Sequence, residues 1–248
     1  MRPRTVAIVQ ARLSSSRLPG KVLKPLRGMP SIIFMTERLR RSRLCDEICV
    51  ATSDDPSDDE LVRILGEHGV SCYRGPLDDV LARFEGAADA YGAEVIVRLT
   101  GDCPFIDPSV VDRVISLRHA AGFDYASNVE PPSYPDGLDT EVFTRKALRY
   151  AKDHARGASD REHVTPVLRR NDRSELSQGL LRCVADLSGL RWTVDYADDF
   201  EFVTALADAL GERALEADMF DYLRIMESGQ VVDRRSAHLR NEAYRRDD

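Results

Sequence analysis

The chain has 248 residues, a length typical of one large domain or of one domain with a small additional lobe. Hydrophobic residues make up 43% of the sequence, which is enough for a substantial core and excludes an intrinsically disordered chain. The formal net charge of −7 argues against a general nucleic-acid-binding surface, although the first 43 residues are strongly basic. A basic segment within an acidic protein suits a small anionic ligand.

The placement of the cysteines and the lengths of the apolar runs indicate the cellular location that we expect. Five cysteines are scattered along the chain without a zinc-type CxxC pair, namely Cys45, Cys49, Cys72, Cys103 and Cys183. Their placement predicts free, mostly buried thiols. The apolar run near residue 1 is too short for a signal peptide, and no run approaches the roughly 20 residues of a membrane span. We therefore expect a cytoplasmic protein that binds neither membranes nor nucleic acid.

The first half of the chain alternates between two kinds of pattern. β-Branched apolar runs predict strands at 5–10, 47–52, 70–75 and 93–100. Patterns with helical periodicity predict helices at 31–42, 56–69, 78–92 and 107–122. Strands that alternate with helices of this length predict βαβ units and a mainly parallel sheet.

The pattern changes after residue 123. Segment 124–143 is rich in Pro, Gly, Asp and Asn, which predicts turns and short strands. Later elements are predicted as helices at 144–156 and 160–170 (interrupted at Pro166), a strand at 190–196, and helices at 198–211 and about 214–228. We predict a single domain over 1–228, with a subregion at about 124–170, followed by a polar tail over 229–248.

Ligands of parallel sheets bind beyond the carboxyl ends of the strands, which here points to loops 10–21, 52–55 and 100–104. Loop 10–21 reads QARLSSSRLPGK and contains the cations Arg12, Arg17 and Lys21. Small residues allow backbone N–H groups to approach phosphate oxygens, and the cations offset negative charge. The loop matches neither the Walker nor the dinucleotide-binding pattern. We interpret it as a phosphate-binding loop; the alternative is a solvated turn.

Two carboxylates are candidates for a Mg²⁺ site. Asp102 ends the most apolar predicted strand, where one carboxylate could bind Mg²⁺ together with substrate phosphates. It could instead cap the next helix, although Asp107 is better placed for that role. Asp195 ends the predicted strand 190–196 and would share the ion if that strand lay beside Asp102. Asp198 and Asp199 are better candidates for capping the following helix.

Two further groups could contact a substrate. The segment SYPDGLDTEVF clusters Asp136, Asp139 and Glu141, either as a binding loop or as a charged hairpin around an Asp-Gly turn. His163, in REHVTP, is a candidate general base, a structural residue or a substrate contact, and we favour the last over catalysis.

These motifs together resemble one enzyme family. IVQARLSSSRLPGKVL resembles the signature of the sugar-acid cytidylyltransferases, the CMP-Kdo and CMP-acylneuraminate synthetase type. The segments ATSDDPSDD, RGPLDDVLARF, VRLTGDCPFIDP, SYPDGLDTEVF and REHVTP are most similar to the branch that includes the spore-coat polysaccharide biosynthesis cytidylyltransferases. The resemblance extends over about residues 5–210.

The resemblance implies a fold and a reaction. The fold would be α/β, a three-layer Rossmann-like nucleotide-diphospho-sugar-transferase fold with a mixed, mainly parallel sheet and a small dimerisation and sugar-side subregion. The reaction would transfer CMP from CTP to the anomeric hydroxyl of a 3-deoxy-ulosonic or nonulosonic acid, with Mg²⁺ as cofactor. It would release pyrophosphate and supply surface glycan biosynthesis. A homodimer is implied as well.

The resemblance also assigns residues. The catalytic groups would be Arg12, Arg17, Lys21 and Asp102. Nucleotide contacts would come from Arg12, Leu13, Ser14, Ser15, Lys21, Arg74 and Asp79, with Asp78 beside them. Sugar contacts would come from Asn128, Asp136, Asp139, Glu141 and His163. Asp102 and Asp195 would bind the metal.

One departure and several alternatives accompany this interpretation. Thr100 stands where the Kdo enzymes have glutamine, and their sugar-loop sequence is absent, which argues against Kdo itself as the acceptor. Alternatives are a nucleotidyltransferase that uses another nucleotide and a sugar phosphate, a glycosyltransferase, or a non-catalytic nucleotide-binding subunit.

Overall fold

The computed structural model describes residues 2–233 and divides them into strands and helices. The strands are β1 (Thr5–Gln10), β2 (Pro25–Leu26), β3 (Met29–Pro30), β4 (Glu47–Ser53), β5 (Ser71–Gly75), β6 (Val95–Thr100), β7 (Tyr125–Ser127), β8 (Glu141–Thr144) and β9 (Gln178–Leu180). The α-helices are α1 (Ser31–Leu39), α2 (Asp59–Glu67), α3 (Val80–Ala90), α4 (Pro108–Ala121), α5 (Arg145–His154), α6 (Ala158–His163), α7 (Pro166–Arg170), α8 (Ala197–Leu210) and α9 (Met219–Glu227). Short 3₁₀ helices are formed by Lys21–Leu23, Pro56–Asp58 and Gly211–Leu215.

Seven of the strands form one sheet in the order β5-β4-β1-β6-β8-β7-β9. The first four are mutually parallel, β8 is antiparallel to both β6 and β7, and β9 is parallel to β7. β2 and β3 form a separate two-stranded hairpin. The predicted α/β class with a mixed, mainly parallel sheet is therefore confirmed.

The central strand β1 shows how the layers form. Its side chains alternate between two cores, with Ala7 and Val9 on one face and Val6 and Ile8 on the other. All four are fully buried because helices cover both faces, as expected for a parallel strand in an α/β sheet. Residues of α1, α2 and α4 complete the first core, and residues of α3, α5 and α7 complete the second. A ligand therefore cannot reach either face of this strand.

The predicted strand at 190–196 is wrong. This segment is extended, but the amide of Trp192 bonds the carbonyl of Asp136 at 2.6 Å, and the amide of Val194 bonds that of Asp102 at 2.8 Å. Both acceptors lie in loops, so the segment crosses the sheet edge and forms no ladder. Gly137 makes the crossing possible, since its φ is +111° and a Cβ there would lie 2.8 Å from the carbonyl carbon of Trp192.

Other sequence-based expectations correspond to the structure with small differences. The predicted helix 160–170 is two helices, because Val164 has a φ of +69° and Pro166 starts the second one. The five cysteines are free, as predicted. None of the helices between residues 2 and 233 is long and apolar enough to cross a bilayer. The predicted tail, 229–248, lies outside the described residues except for 229–233.

A buried carboxylate joins the antiparallel half of the sheet to the helices. Glu141, at the start of β8, is 1% exposed and accepts hydrogen bonds from Tyr125 of β7 at 2.6 Å and from Thr165 at 3.0 Å. It also pairs with Arg98 of β6 at 2.5 Å and with Arg169 of α7 at 3.0 Å. Burial opposes the charge, but the two guanidinium groups prevail and lower the pKa of Glu141 to about 2.

We predict that Glu141→Gln destabilises the fold and removes part of its acid sensitivity. The pKa of Glu141 is lower in the folded protein than in the unfolded chain, so its contribution is complete above about pH 4.5 and is lost as the pH falls towards 2. At neutral pH the variant leaves two guanidinium groups without their carboxylate, and we expect a loss of about 3 kcal/mol. Urea unfolding of both proteins between pH 7 and 3 measures this.

The exposed Glu67→Gln is the control, and we expect it to keep the wild-type pH dependence. Equal loss of stability on acidification in the wild type and in Glu141→Gln would contradict the prediction.

Candidate active site

A cavity of about 380 Å³ lies over the carboxyl ends of β1 and β6. It is lined by ten of the residues that the sequence predicts for the site: Arg12, Ser15, Arg17, Lys21, Asp102, Asp136, Asp139, Glu141, His163 and Asp195. Because these residues come from segments up to 183 positions apart, the fold brings together side chains that are distant in sequence. The described lining contains seven Arg or Lys side chains and six carboxylates, so its charge is nearly balanced within an acidic protein.

Loop 10–21 folds back on itself before it reaches the cavity. The amide of Gly20 donates to the carbonyl of Leu13 at 3.0 Å, and Gly20 has a φ of +67°, a conformation that glycine adopts without steric cost. The reversal places Lys21 at the start of a 3₁₀ turn with its side chain directed into the site. The small and basic residues of the loop therefore line the cavity as a group.

Lys21 lies between the two carboxylates predicted to bind metal. Its Nζ is 2.9 Å from Asp102 Oδ2, 2.9 Å from Asp195 Oδ1 and 2.8 Å from the carbonyl of Val194. Burial works against the charge of Lys21, but attraction to Asp102 and Asp195 exceeds it and raises the pKa. The same contacts, with Arg17 at 2.5 Å, lower the pKa of Asp195 despite its burial. Lys21 and Asp195 are thus both charged at neutral pH.

The capping alternatives are also resolved. Asp107, not Asp102, caps α4 by accepting the amide of Ser109 at 2.8 Å. Asp199 accepts the amides of Asp195 and Tyr196 at 2.9 and 3.1 Å at the start of α8. Asp102 therefore caps no helix, and its carboxylate lines the cavity in contact with Lys21.

Arg191 is a site residue that the sequence interpretation missed. It pairs with Asp136 at 2.9 Å and with Asp195 at 2.9 Å, and also contacts Asp199. It thereby joins the carboxylate predicted on the sugar side to one predicted on the metal side. The sequence analysis predicted a strand at 190–196, and the position of an arginine in a strand does not indicate which carboxylates it pairs with.

Other lining residues were missed as well, among them Gln10, Arg83, Arg98 and Arg169. Gln10 ends one predicted strand and Arg98 lies within another, and Arg83 and Arg169 lie on predicted helices. In the sequence they look like any other residue of a strand or helix. The position of Gln10 as the first residue of loop 10–21 could have identified it. No sequence signal separates the three arginines from surface cations.

Five of the predicted contacts lie outside the cavity lining: Leu13, Ser14, Arg74, Asp79 and Asn128. They divide into an exposed serine and four residues that support the surrounding loops. The amide of Leu13 donates to the buried Asp58 at 2.7 Å, and Arg74 bonds the carbonyls of Ser53 and Asp55 at 3.0 Å each.

The other two supporting residues fix a helix and a loop. Asp79 caps α3 through the amide of Ala82 at 2.9 Å and pairs with Arg161 at 2.7 Å. The amide group of Asn128 bonds Leu138 and Thr140, the neighbours of Asp139. Asp78 is exposed beside the cap. Direct ligand contact by these residues stays a prediction.

The cavity could hold a metal ion only with help from a substrate. Within residues 2–233, no group of three or more His, Cys, Asp or Glu side chains is arranged to hold one. Asp102 and Asp195 nevertheless share a cation already, the Lys21 ammonium. Mg²⁺ typically takes one or two protein carboxylates and fills its remaining positions with phosphates and water. The donor set fits an ion that arrives with a phosphorylated substrate.

Comparison with known proteins identifies the family of the chain. The family model described as Cytidylyltransferase matches residues 6–222. The chain is 34% identical to the spore coat polysaccharide biosynthesis protein SpsF of Bacillus subtilis, over 83% of this chain and 87% of that protein. It is 30% identical to a 3-deoxy-manno-octulosonate cytidylyltransferase of Acidovorax sp. (strain JS42), over 61% and 63%.

A solved structure extends the likeness to the whole fold. A cytidylyltransferase from Leptospira borgpetersenii serovar Hardjo-bovis superposes with a TM-score of 0.88 at 28% identity, covering 96% of this chain and 100% of that one. The match of the family model over most of the chain and the shared α/β architecture lead to one conclusion. The chain belongs to the sugar-acid cytidylyltransferase family, close to SpsF, and is a cytidylyltransferase that uses CTP.

Proposed function

We propose that the protein transfers CMP from CTP to the anomeric hydroxyl of a 3-deoxy-ulosonic or nonulosonic acid, which yields a CMP-sugar and pyrophosphate for surface glycan biosynthesis. The observation that carries the proposal is the contact of Lys21 with both Asp102 and Asp195, beside Arg17. Two carboxylates alone would repel a triphosphate. With Lys21, Arg17 and a divalent cation present, the same site attracts it.

Loop 10–21 would bind the triphosphate. Arg12, Ser15, Arg17 and Lys21 all line the cavity. In the transfer, the anomeric hydroxyl attacks the α-phosphate and pyrophosphate leaves from the opposite side. Negative charge accumulates on phosphate oxygens, and Lys21 and Arg17 stabilise it as the pyrophosphate departs. No side-chain nucleophile is required, which agrees with the lack of an assigned role for the cysteines.

Asp102 and Asp195 would hold Mg²⁺ when CTP is bound. When bound, the ion would neutralise part of the phosphate charge and polarise a bound hydroxyl. Lys21 must then exchange at least one carboxylate contact for phosphate oxygens. Its flexible stem, with an ammonium group that donates three hydrogen bonds, permits such an exchange.

The acceptor would lie at the end of the cavity formed by β8 and α6. Asp136, Asp139 and His163 line the cavity and supply groups that can bond sugar hydroxyls. Arg98 and Arg169 lie beside them and share a single carboxylate, Glu141. The unbalanced positive charge suits the carboxylate of a sugar acid.

We further propose that the enzyme is cytoplasmic and forms a homodimer through the subregion at about 124–170. The resemblance of the chain to dimeric synthetases supports this assembly, and its composition supports the location.

Lys21→Ala should lower kcat by tenfold or more, because the variant loses the cation that stabilises the departing pyrophosphate. Steady-state pyrophosphate release measures the effect, and circular dichroism checks that the fold survives. Lys24→Ala is the matched control: this cation belongs to the same basic segment but does not line the cavity. Wild-type turnover in Lys21→Ala would refute the assigned role.

Asp102→Asn should abolish the metal-dependent activity, since a neutral amide binds Mg²⁺ far more weakly than a carboxylate. Titration of activity with Mg²⁺ in the wild type, in this variant and in Asp208→Asn, on the exposed surface of α8, measures the effect. If Asp102→Asn gave the same Mg²⁺ titration curve as the wild type, the metal would have to be bound by residues other than Asp102.

Pyrophosphate release from CTP in the presence of octulosonic and nonulosonic acids tests the function itself. We expect release that requires both the acid and a divalent cation, with formation of a CMP-sugar. Release with UTP or GTP and a sugar phosphate would support the alternative nucleotidyltransferase. Consumption of a CMP-sugar without pyrophosphate would indicate a glycosyltransferase.

A further inference from the structure

Arg191 holds three carboxylates at the same time. Its Nη1 donates to Asp136 Oδ2 at 2.9 Å, and its Nη2 donates to Asp195 Oδ2 at 2.9 Å. Its Nε and Nη2 also donate to the two oxygens of Asp199, at 3.1 Å each. All four side chains are mostly buried, so water competes little for these contacts. Because the donors of a guanidinium leave a rigid plane in fixed directions, Arg191 fixes the positions of its partners relative to one another.

Backbone contacts anchor this cluster. Asp199 is fully buried and accepts two backbone amides at the start of α8, one of which is that of Asp195. The backbone of Asp136 bonds the residues on either side of Arg191, through its amide at 2.9 Å and through its carbonyl at 2.6 Å. Arg191 is therefore held in place by Asp199 and by the loop that carries Asp136.

The two oxygens of Asp195 have different partners. Oδ1 accepts from Lys21 at 2.9 Å and from Arg17 at 2.5 Å, whereas Oδ2 accepts from Arg191. In the proposed function, Lys21 and Arg17 bond phosphate oxygens of CTP, which frees Oδ1 for the divalent cation. Arg191 keeps its contacts with the other two carboxylates and stays on Oδ2. One oxygen of Asp195 thus changes its cation when CTP binds, while the other stays fixed.

We propose that Arg191 is a positioning residue that holds Asp195 for the metal ion and couples it to Asp136. This inference rests on the proposed function, in which Asp195 binds the ion and Asp136 binds the acceptor. A change at Asp136 should then reach the metal site through the shared guanidinium. The hydrogen-bond partners of a metal-binding group commonly change metal affinity by about 10- to 100-fold when they are altered.

The test is the affinity for CTP at saturating Mg²⁺ and in EDTA, measured by isothermal titration calorimetry without an acceptor. Arg191→Lys keeps the positive charge, but a single ammonium group cannot hold three carboxylates in fixed directions. We expect its affinity for CTP to fall by about 10- to 100-fold in Mg²⁺ and to change little in EDTA. An equal loss in both conditions would mean that Arg191 acts on the nucleotide pocket without the metal, and would overturn the proposal.

Asp136 supplies a second arm of the test. Asp136→Asn weakens one contact of the guanidinium, and we expect a loss of CTP affinity in Mg²⁺ of about three- to tenfold. If this effect passes through Arg191, the double variant with both substitutions should bind CTP like Arg191→Lys alone. Additive losses would mean that Asp136 acts through its own charge, and would overturn the coupling.

Thermal unfolding separates positioning from a structural role. Arg118→Lys is the matched control, at a half-buried guanidinium outside the cavity lining that donates to the carbonyl of Phe123 at 2.9 Å. It should leave the affinity for CTP unchanged in both conditions, whatever its effect on the melting temperature. A lowered melting temperature in Arg191→Lys with wild-type affinity for CTP in Mg²⁺ would make Arg191 a structural residue and overturn the proposal.

The same titrations distinguish failure of this inference from failure of the proposed function. If the wild type binds no CTP, or binds it equally well in Mg²⁺ and in EDTA, the proposed function fails and this inference fails with it. If Mg²⁺ raises the affinity of the wild type and raises that of Arg191→Lys by the same factor, only the role of Arg191 fails.

Discussion

The ammonium group of Lys21 between Asp102 and Asp195 is the interaction on which the site depends. Two carboxylates so close together require a cation between them, and Lys21 supplies it in the absence of substrate. In the proposed reaction a divalent ion would replace it there, and Lys21 would turn towards phosphate. The free enzyme thus has its acidic pair and its phosphate-binding cation already in the same place.

The parallel sheet explains why these residues meet. β1 and β6 are adjacent and parallel, so the loops that follow them, 10–21 and 100–104, leave the same edge. Segment 190–196 crosses that edge and contributes Asp195 and Arg191 from a distant part of the chain. The antiparallel strand β8 completes the cavity with Glu141, whose buried charge holds Arg98 and Arg169 in place. Loop conformation and sheet order together produce the site.

Local sequence pattern was sufficient to predict the strands and helices of the first half of the chain and to identify loop 10–21. The short apolar runs that form strands and the helices with capping residues are determined by residues close together in the sequence. The loops that bind ligands follow from the rule that ligands of parallel sheets lie beyond the carboxyl ends of the strands. The crossing segment 190–196 could not be recognised, because its apolar alternation is that of a strand while its backbone partners are loop carbonyls. Arg83, Arg98, Arg169 and Arg191 were missed for a related reason: whether an arginine is buried and paired depends on tertiary contacts. Leu13, Arg74 and Asn128 support the loops through hydrogen bonds to atoms of distant residues, and the sequence does not show which atoms these are.

Thermal unfolding with CTP, UTP, GTP and ATP, each with and without Mg²⁺, tests whether the site around Lys21, Asp102 and Asp195 binds CTP together with a divalent cation. A ligand at 100 times its Kd adds about 2.7 kcal/mol, which for a chain of this size raises the melting temperature by roughly 5–10 °C. We expect such a shift with CTP and Mg²⁺ together, a smaller one with CTP alone, and little change with the other nucleotides. An equal shift with all four nucleotides, or none with CTP, would contradict this expectation.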